Sequence, residues 1–474
     1  MPVGPLSPAA SAAWAAANNI SSTGHFRPGA RQLLGDAASG RRARSWFPED
    51  DMRALIRSTL LAAAIASLSV LAGCATPRPD PGLTCNLHGQ AVHAPVRLLK
   101  PVPPRSVPDW DEAQTQIAVD LRSRIQQNFA ERQEVKRVLR SVRPPPPGAP
   151  PPPPLQPGYV VLALSAGGQF GAYGSGFLKG WGDRQTLAPP RGDVDMITGV
   201  STGAMMATYA YLGSSDNAAT RARYDDLLKA QYTTLTNDDV FRPRFPLEYL
   251  WANSIYDSAP LRARIEAQIT DALLQAVIDE ANQSKRLLYV GAVNADTGLF
   301  EYFDLIAIAR DTGHDRRKCY AAALLASAAI PVAFNPVFIN GQMYVDGGAR
   351  QNAFFVAQIA AALPGQPKTL LGILHGDLSL PPATTKNNLI GVVGRTTSIA
   401  SDQLVLDATY YVDSEAKRRG FSTRWTSAAN TGCETQASDD MFSPALGLCL
   451  WKIGFARASD APSPWKDFSQ IRQP

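Results

Sequence analysis

Ser201 lies in Gly199-Val200-Ser201-Thr202-Gly203, between the apolar text MIT and the helix-like text AMMATYAYL. A serine on a tight strand-to-helix turn needs small neighbours two residues away on each side so that the turn can close, and here both are glycine. The helix that follows directs its positive end at the hydroxyl and favours a developing oxyanion. The plainer alternative is a Gly-Ser turn that only caps a helix. A nucleophilic hydroxyl also needs a base. Of the five histidines, His25, His88 and His93 precede the regular part of the chain, and His314 follows a surface turn, Asp311-Thr312-Gly313. His375 ends an apolar run, LLGILHG, and Asp346 stands in Tyr344-Val345-Asp346-Gly347-Gly348. The order Ser201, Asp346, His375 suits a Ser-Asp-His triad. Ser201 with Asp346 alone is the other arrangement.

A third element comes earlier, in Ala166-Gly167-Gly168-Gln169-Phe170-Gly171, just after the apolar run YVVLALS. Glycines after a strand let backbone N–H groups approach an anion, either a phosphate or a reaction oxyanion. A dinucleotide-binding loop would place an acidic residue at the end of the next strand, about 20 residues on. That strand runs into GVSTG instead.

The three elements in this order, with the flanking texts SIYDSAPLR, NADTG, ASAAIPVAFNPV and YVDGG, resemble the patatin-like phospholipase family. The resemblance spans Tyr159 to the mid-350s. It implies an acyl-ester hydrolase with Ser201 as nucleophile and Asp346 as base, and with the amides of Gly167 and Gly168 as oxyanion donors. Gly199 and Gly203 close the first turn, and Gly347 and Gly348 follow the aspartate. The dyad chemistry calls for no metal and no cofactor. Asp346 can act as a base near neutrality only if burial raises its pKa or tight positioning compensates. Asn352 also fits the family pattern. Two positions depart from it. Ala166 replaces a glycine and cannot take a positive φ cheaply. Phe170 stands where a cation is usual, which bears on recognition of a phosphate headgroup. These departures leave room for a catalytically weak protein that binds lipid or a partner.

Around these residues the text alternates strand and helix. YVVLALSAG, VDMITGVS, RLLYVGAVN and KTLLGILHG read as buried strands. GAYGSGFLKGWGD, TGAMMATYAYLG and KCYAAALLASAAIPVAF read as helices, the last stopped by Pro331. VFINGQMYVDGG reads as a hairpin turning at Asn340-Gly341. The pattern predicts an α/β fold of three layers, α/β/α, with a mainly parallel central sheet and KTLLGILHG completing it. Residues 386–419 read as helix. Trp425, Trp451 and Trp465 follow in the tail, as core residues or as lipid contacts.

The first part of the chain has another character. Residues 1–51 lack a steady period and read as disordered or untranslated upstream of Met52. Arg53 and Arg57, then an apolar stretch from Leu60 to Leu71, read as a signal peptide over 52–73, too short for a comfortable membrane span. Leu71-Ala72-Gly73-Cys74 resembles a bacterial lipobox, which implies a lipidated Cys74 and a membrane-anchored lipoprotein facing the periplasm or the cell exterior. Residues 74–143 form an irregular and then helical region. In its helix Ile117, Leu121, Ile125 and Phe129 recur every four residues, as a stripe for core packing. Residues 144–157 are a polyproline spacer, 158–385 the hydrolase-like domain, and 386–474 an extension packing on it.

The 474 residues carry a net charge of only +5 and no basic stripe, which excludes a nucleic-acid partner. Residues 1–73 hold seven arginines against four acidic residues, so the remainder is nearer neutrality. The partners implied are membrane lipids or other acyl esters. Of five cysteines, lipidation of Cys74 leaves Cys85, Cys319, Cys433 and Cys449, enough for two disulfides. Cys433 and Cys449 are the nearest pair. Cys319, on an apolar helical text, also reads as a buried thiol.

Overall fold

The computed structural model describes residues 78, 82–86, 108–142, 158–184, 187–245, 247–248, 251–356, 358–376, 384–433 and 440–471. The signal peptide, Cys74, the polyproline spacer, His25, His88 and His93 lie outside the described residues.

Eight strands form one sheet: β1 (Tyr159–Leu164), β2 (Met196–Val200), β5 (Leu287–Asn294), β6 (Leu299–Asp304), β7 (Val337–Ile339), β8 (Gln342–Asp346), β9 (Lys368–Leu374) and β10 (Phe421–Ser427). Two short strands, β3 (Arg242–Pro243) and β4 (Tyr256–Asp257), pair outside it. The order is β10-β9-β1-β2-β5-β8-β7, with β6 on β5. From β10 to β5 all pairs are parallel, while β6, β7 and β8 add the antiparallel ones. KTLLGILHG does not complete the sheet. β9 is an inner strand between β1 and β10, and the edge comes from the text FSTRWTS.

Strand alternation explains the layers. In β1, Val160, Leu162 and Leu164 face one core, while Tyr159, Val161 and Ala163 face the other. Both faces are therefore covered, as a central parallel strand requires. One layer holds α2 (Gly171–Asp183), α3 (Thr202–Leu212), α4 (Ala218–Thr233), α5 (Arg316–Ala328) and α7 (Pro444–Ser459). The other holds α1 (Pro108–Val142), α6 (Leu389–Arg418) and the short helix Gln358–Ala362. The expected three-layer α/β/α fold with a mainly parallel sheet is the one observed.

Helix α1 packs through Leu121 and Ile125, both buried, and Phe129 rests near the Tyr159 ring. Its polar text hides a second device. Arg132 and Lys136 are buried against the Asp195 carboxylate at 3.1 and 2.7 Å. Arg132 also donates to the carbonyls of Ser284, Gly192 and Val194. The other oxygen of Asp195 takes the Val160 N–H at 2.7 Å. The helix is thereby latched to the starting ends of β1 and β2, opposite Ser201.

Two disulfides are formed. Cys433–Cys449 is the pair expected from proximity. Cys319 is not a free buried thiol: it bonds Cys85, across 234 residues of sequence. Trp425 and Trp465 are core residues.

Candidate active site

The hairpin Val337–Asp346 turns at Asn340 and Gly341, with φ 54° and 75°, as a two-residue turn of this sequence should. Its second strand, β8, runs antiparallel to β5 and ends with Asp346 opposite Ala292. β2 runs parallel to β5 and ends with Val200 opposite Gly291. β6 occupies the other edge of β5 along its length, so β2 and β8 meet end to end on one edge. This register brings Ser201 and Asp346 together.

Ser201 has φ 53° and ψ −120°, a conformation that costs an L-residue free energy and that is found where the surroundings enforce it. Two features hold it. A Cβ on Gly199 would sit 2.4 Å from the Gly203 carbonyl oxygen, and one on Gly203 would sit 2.2 Å from that of Leu164, so the turn closes only on glycine. The Ser201 N–H donates to Ser327 Oγ at 3.0 Å, and the Ser327 hydroxyl donates to the Gly291 carbonyl at 2.5 Å. Ser327, fully buried near the end of α5, ties the turn to β5. Sequence reasoning gave Ser327 no role. The only signal was a lone hydroxyl in the apolar text ALLASAAIP.

The Ser201 hydroxyl lies close enough to the Asp346 carboxylate to favour its charged form, and Asp346 Oδ1 takes the Gly348 N–H at 2.7 Å. Burial pushes the Asp346 pKa up to about 7, against the opposing pull of the Ser201 hydroxyl and the Gly348 N–H. The elevation that a lone aspartate base needs is therefore present. Gly347 is also obligatory, because a Cβ there would sit 2.6 Å from the Gly291 carbonyl oxygen.

The glycine-rich loop lies beside this pair. A Cβ at Gly348 would sit 3.1 Å from both the Ala166 methyl and Asp346 Oδ1. Gly167 and Gly168 have φ 150° and 54°. Their N–H groups donate to no backbone acceptor among the described residues. The expected strain at Ala166 is absent. It is not among the residues with positive φ, and its N–H is held by the Asn352 carbonyl at 2.8 Å. Asn352 is buried and donates to Thr409 Oγ1 on α6. Phe170 is a buried core residue at the start of α2, so packing replaces the cation usual there.

His375 is buried with a different set of contacts. Its Nδ1 lies 2.7 Å from the Ser165 carbonyl and its N–H donates to Ser165 Oγ. Its Nε2 faces Gly174, where a Cβ would come within 2.1 Å. No hydrogen bond joins it to Ser201 or Asp346, and β1 stands between its strand and β2. Burial lowers its pKa to about 4, so the ring is neutral at ordinary pH. Its carbonyl also crowds Gly167, within 1.6 Å of where a Cβ would be. His375 thus supports the glycine-rich loop from below. His314 follows the turn at Asp311, and its Nδ1 lies 2.7 Å from Asp311 Oδ2.

Among solved structures, one match is described as the crystal structure of VipD from Legionella pneumophila, 12% identical, covering 64% of this chain and 66% of that one, with a TM-score of 0.30. The chain thus spans just under two thirds of VipD's length, and so low a structural overlap supports no inference. No curated protein matches. The family comparison falls on the segment that holds Ser201, Asp346 and the glycine-rich loop: residues 162–358 match the family model for patatin-like phospholipases.

Proposed function

We propose that the chain is a serine acyl hydrolase that cleaves ester-linked acyl groups of lipids with a Ser201–Asp346 dyad. The observation that carries this reading is the juxtaposition of a serine in a strained strand-to-helix turn with a buried aspartate whose pKa is raised to about 7. Ser201 Oγ attacks the acyl carbonyl carbon while its proton passes to Asp346. The tetrahedral oxyanion is received by the N–H groups of Gly167 and Gly168, and each such donor contributes about 10²–10³ in rate. The C–O bond to the leaving alcohol breaks as Asp346 returns the proton to that oxygen. Water, deprotonated by Asp346, then releases the fatty acid. The family match supports lipid esters as the substrate class. The lipobox-like text supports a lipid on Cys74 and a place on a bacterial membrane facing the periplasm or the exterior.

Hydrolysis of p-nitrophenyl acyl esters and of a phospholipid tests the reading. Activity should fall at least about 10³-fold in Ser201→Ala and Asp346→Asn, and persist in His375→Ala if that variant folds. Loss at His375 with the fold intact would favour a triad. Absence of activity in the folded protein would overturn the hydrolase reading.

A further inference from the structure

The end of the sheet that carries Ser201 also exposes large apolar side chains. Phe245, Leu247, Trp251 and Val332 are 65%, 61%, 48% and 67% exposed. Backbone bonds join the two segments that bear them: the Ile255 N–H donates to the Val332 carbonyl at 2.8 Å, and the Tyr256 N–H to the Ala333 carbonyl at 2.9 Å. Arg244 adds a side-chain link to Asn335 Oδ1 at 3.2 Å. Inner neighbours in the same segments, Phe241 and Phe334, form a satellite core with Phe442, and Tyr256 packs against it. The segments are therefore anchored from beneath while their outer side chains are left bare. Val332 holds φ 68°, rare for a β-branched residue. It stands three residues after Ala329, whose carbonyl takes the Asp346 N–H at 2.8 Å. Single exposed apolar residues are ordinary, but a group of them beside a reactive pair marks an interaction surface.

The way the N-terminal part of the chain reaches the domain says what covers this surface. Arg78 forks onto Asp296, with Nη2–Oδ1 at 2.6 Å and Nη1–Oδ2 at 2.9 Å. Leu83 bridges to Ile339, Asn340 brackets Cys85 with two hydrogen bonds, and Cys85 is bonded to Cys319. Asp296 lies two residues past the end of β5, the strand whose Gly291 and Ala292 align Val200 and Asp346. The fastening is therefore at the same end of the sheet as Ser201. Cys74 is four residues before Arg78, a reach of at most about 14 Å. A lipid on Cys74 holds a bilayer within that reach of this end.

We propose that Phe245, Leu247, Trp251 and Val332 form a bilayer-docking face that enters the boundary between headgroups and acyl chains. It seats the Ser201 end of the sheet on the surface from which its ester is drawn. Aromatic and aliphatic side chains at such depth, with arginine beside them, are what an interfacial segment requires. The proposal rests on the lipid-hydrolase reading and on the anchor at Cys74.

The test uses the chain from residue 74 onward carrying Cys74→Ala and Ser201→Ala, so that neither signal peptide, lipid nor turnover contributes. It is floated with vesicles of phosphatidylethanolamine and phosphatidylglycerol. The same chain with Phe245→Ser, Leu247→Ser, Trp251→Ser and Val332→Ser should lose about tenfold or more in vesicle-bound fraction. Tyr411→Ser with Leu448→Ser, exposed apolar residues on other helices, should lose little. With Ser201 restored, the ratio of vesicle-phospholipid hydrolysis to soluble-ester hydrolysis should fall by a similar factor. Equal flotation of parent and fourfold variant, at unchanged melting temperature, would overturn the proposal and leave the face to a protein partner. If the chain with Ser201 restored hydrolyses no ester at all, the hydrolase reading fails, while flotation still decides the docking face.

Discussion

Ser201 and Asp346 face each other because β2 and β8 share one edge of β5, with Val200 opposite Gly291 and Asp346 opposite Ala292. The two side chains are placed by consecutive residues of a buried strand rather than by a mobile loop, which fixes their separation. Gly291 does more than set the register. Its carbonyl takes the Ser327 hydroxyl and closely approaches Gly347, so one peptide of β5 touches both halves of the pair.

The raised pKa of Asp346 fixes the pH dependence. The base works only when ionised, so kcat/KM on a soluble ester should rise with pH and level off above about 7. A pH–rate profile checks this. A limb near the ordinary aspartate value would mean that burial does not govern the base.

The same elevation acts on stability. Asp346 holds its proton in the folded state up to about pH 7 but releases it at the ordinary carboxylate pKa when unfolded. Folding therefore loses stability as pH rises between these two values. Asp346→Asn removes that loss, so its gain in melting temperature should be larger at pH 8 than at pH 4. Melting curves at the two pH values measure it, and an equal shift at both would contradict the burial account.

Strain at Ser201 predicts a trade. Ser201→Gly relieves φ 53° and should stabilise the fold by about 1 kcal/mol while abolishing turnover. Chemical denaturation beside Ser201→Ala, which keeps the strain, isolates the backbone effect.

Ser327→Ala leaves the Ser201 N–H and the Gly291 carbonyl each without a partner. A cost of about 1–3 kcal/mol is expected. Because the turn loosens, kcat should fall about tenfold with KM little changed. Ser327→Thr, which keeps the hydroxyl, should retain more activity than Ala. A rise in KM alone would count against a positioning role.

The Cys85–Cys319 bond fastens residues 82–86 to α5 across 234 residues of sequence. Cys85→Ser with Cys319→Ser should lower stability by about 2–5 kcal/mol, read from denaturation midpoints.

What the sequence made legible was local. GVSTG, the hairpin at Asn340-Gly341 and the apolar runs of β1, β2, β5 and β9 each state their structure within a few residues. What it hid depends on distant partners. β10 reads as ordinary mixed text because its outward positions, such as Ser422 and Arg424, are exposed on an edge strand. β6 carries Glu301 among aromatics, so neither strict alternation nor an apolar run marks it. Arg132 and Lys136 look like a solvated helix face until Asp195, some sixty residues on, is placed beneath them. His375 is the instructive case. Its position at a strand end suited a triad by chain order, yet the strand order β9-β1-β2 sends it to Ser165. Ser327 acts through a single hydroxyl that no local pattern distinguishes.

The central claim is that Ser201, activated by Asp346, forms a covalent acyl intermediate. The most direct measurement is labelling of the folded chain with a fluorophosphonate, followed by peptide mass spectrometry. The account predicts one adduct, on the peptide containing Ser201. It should be lost in Ser201→Ala, strongly slowed in Asp346→Asn, and retained in a folded His375→Ala. A folded chain that takes no adduct, or takes it on another serine, would contradict the account.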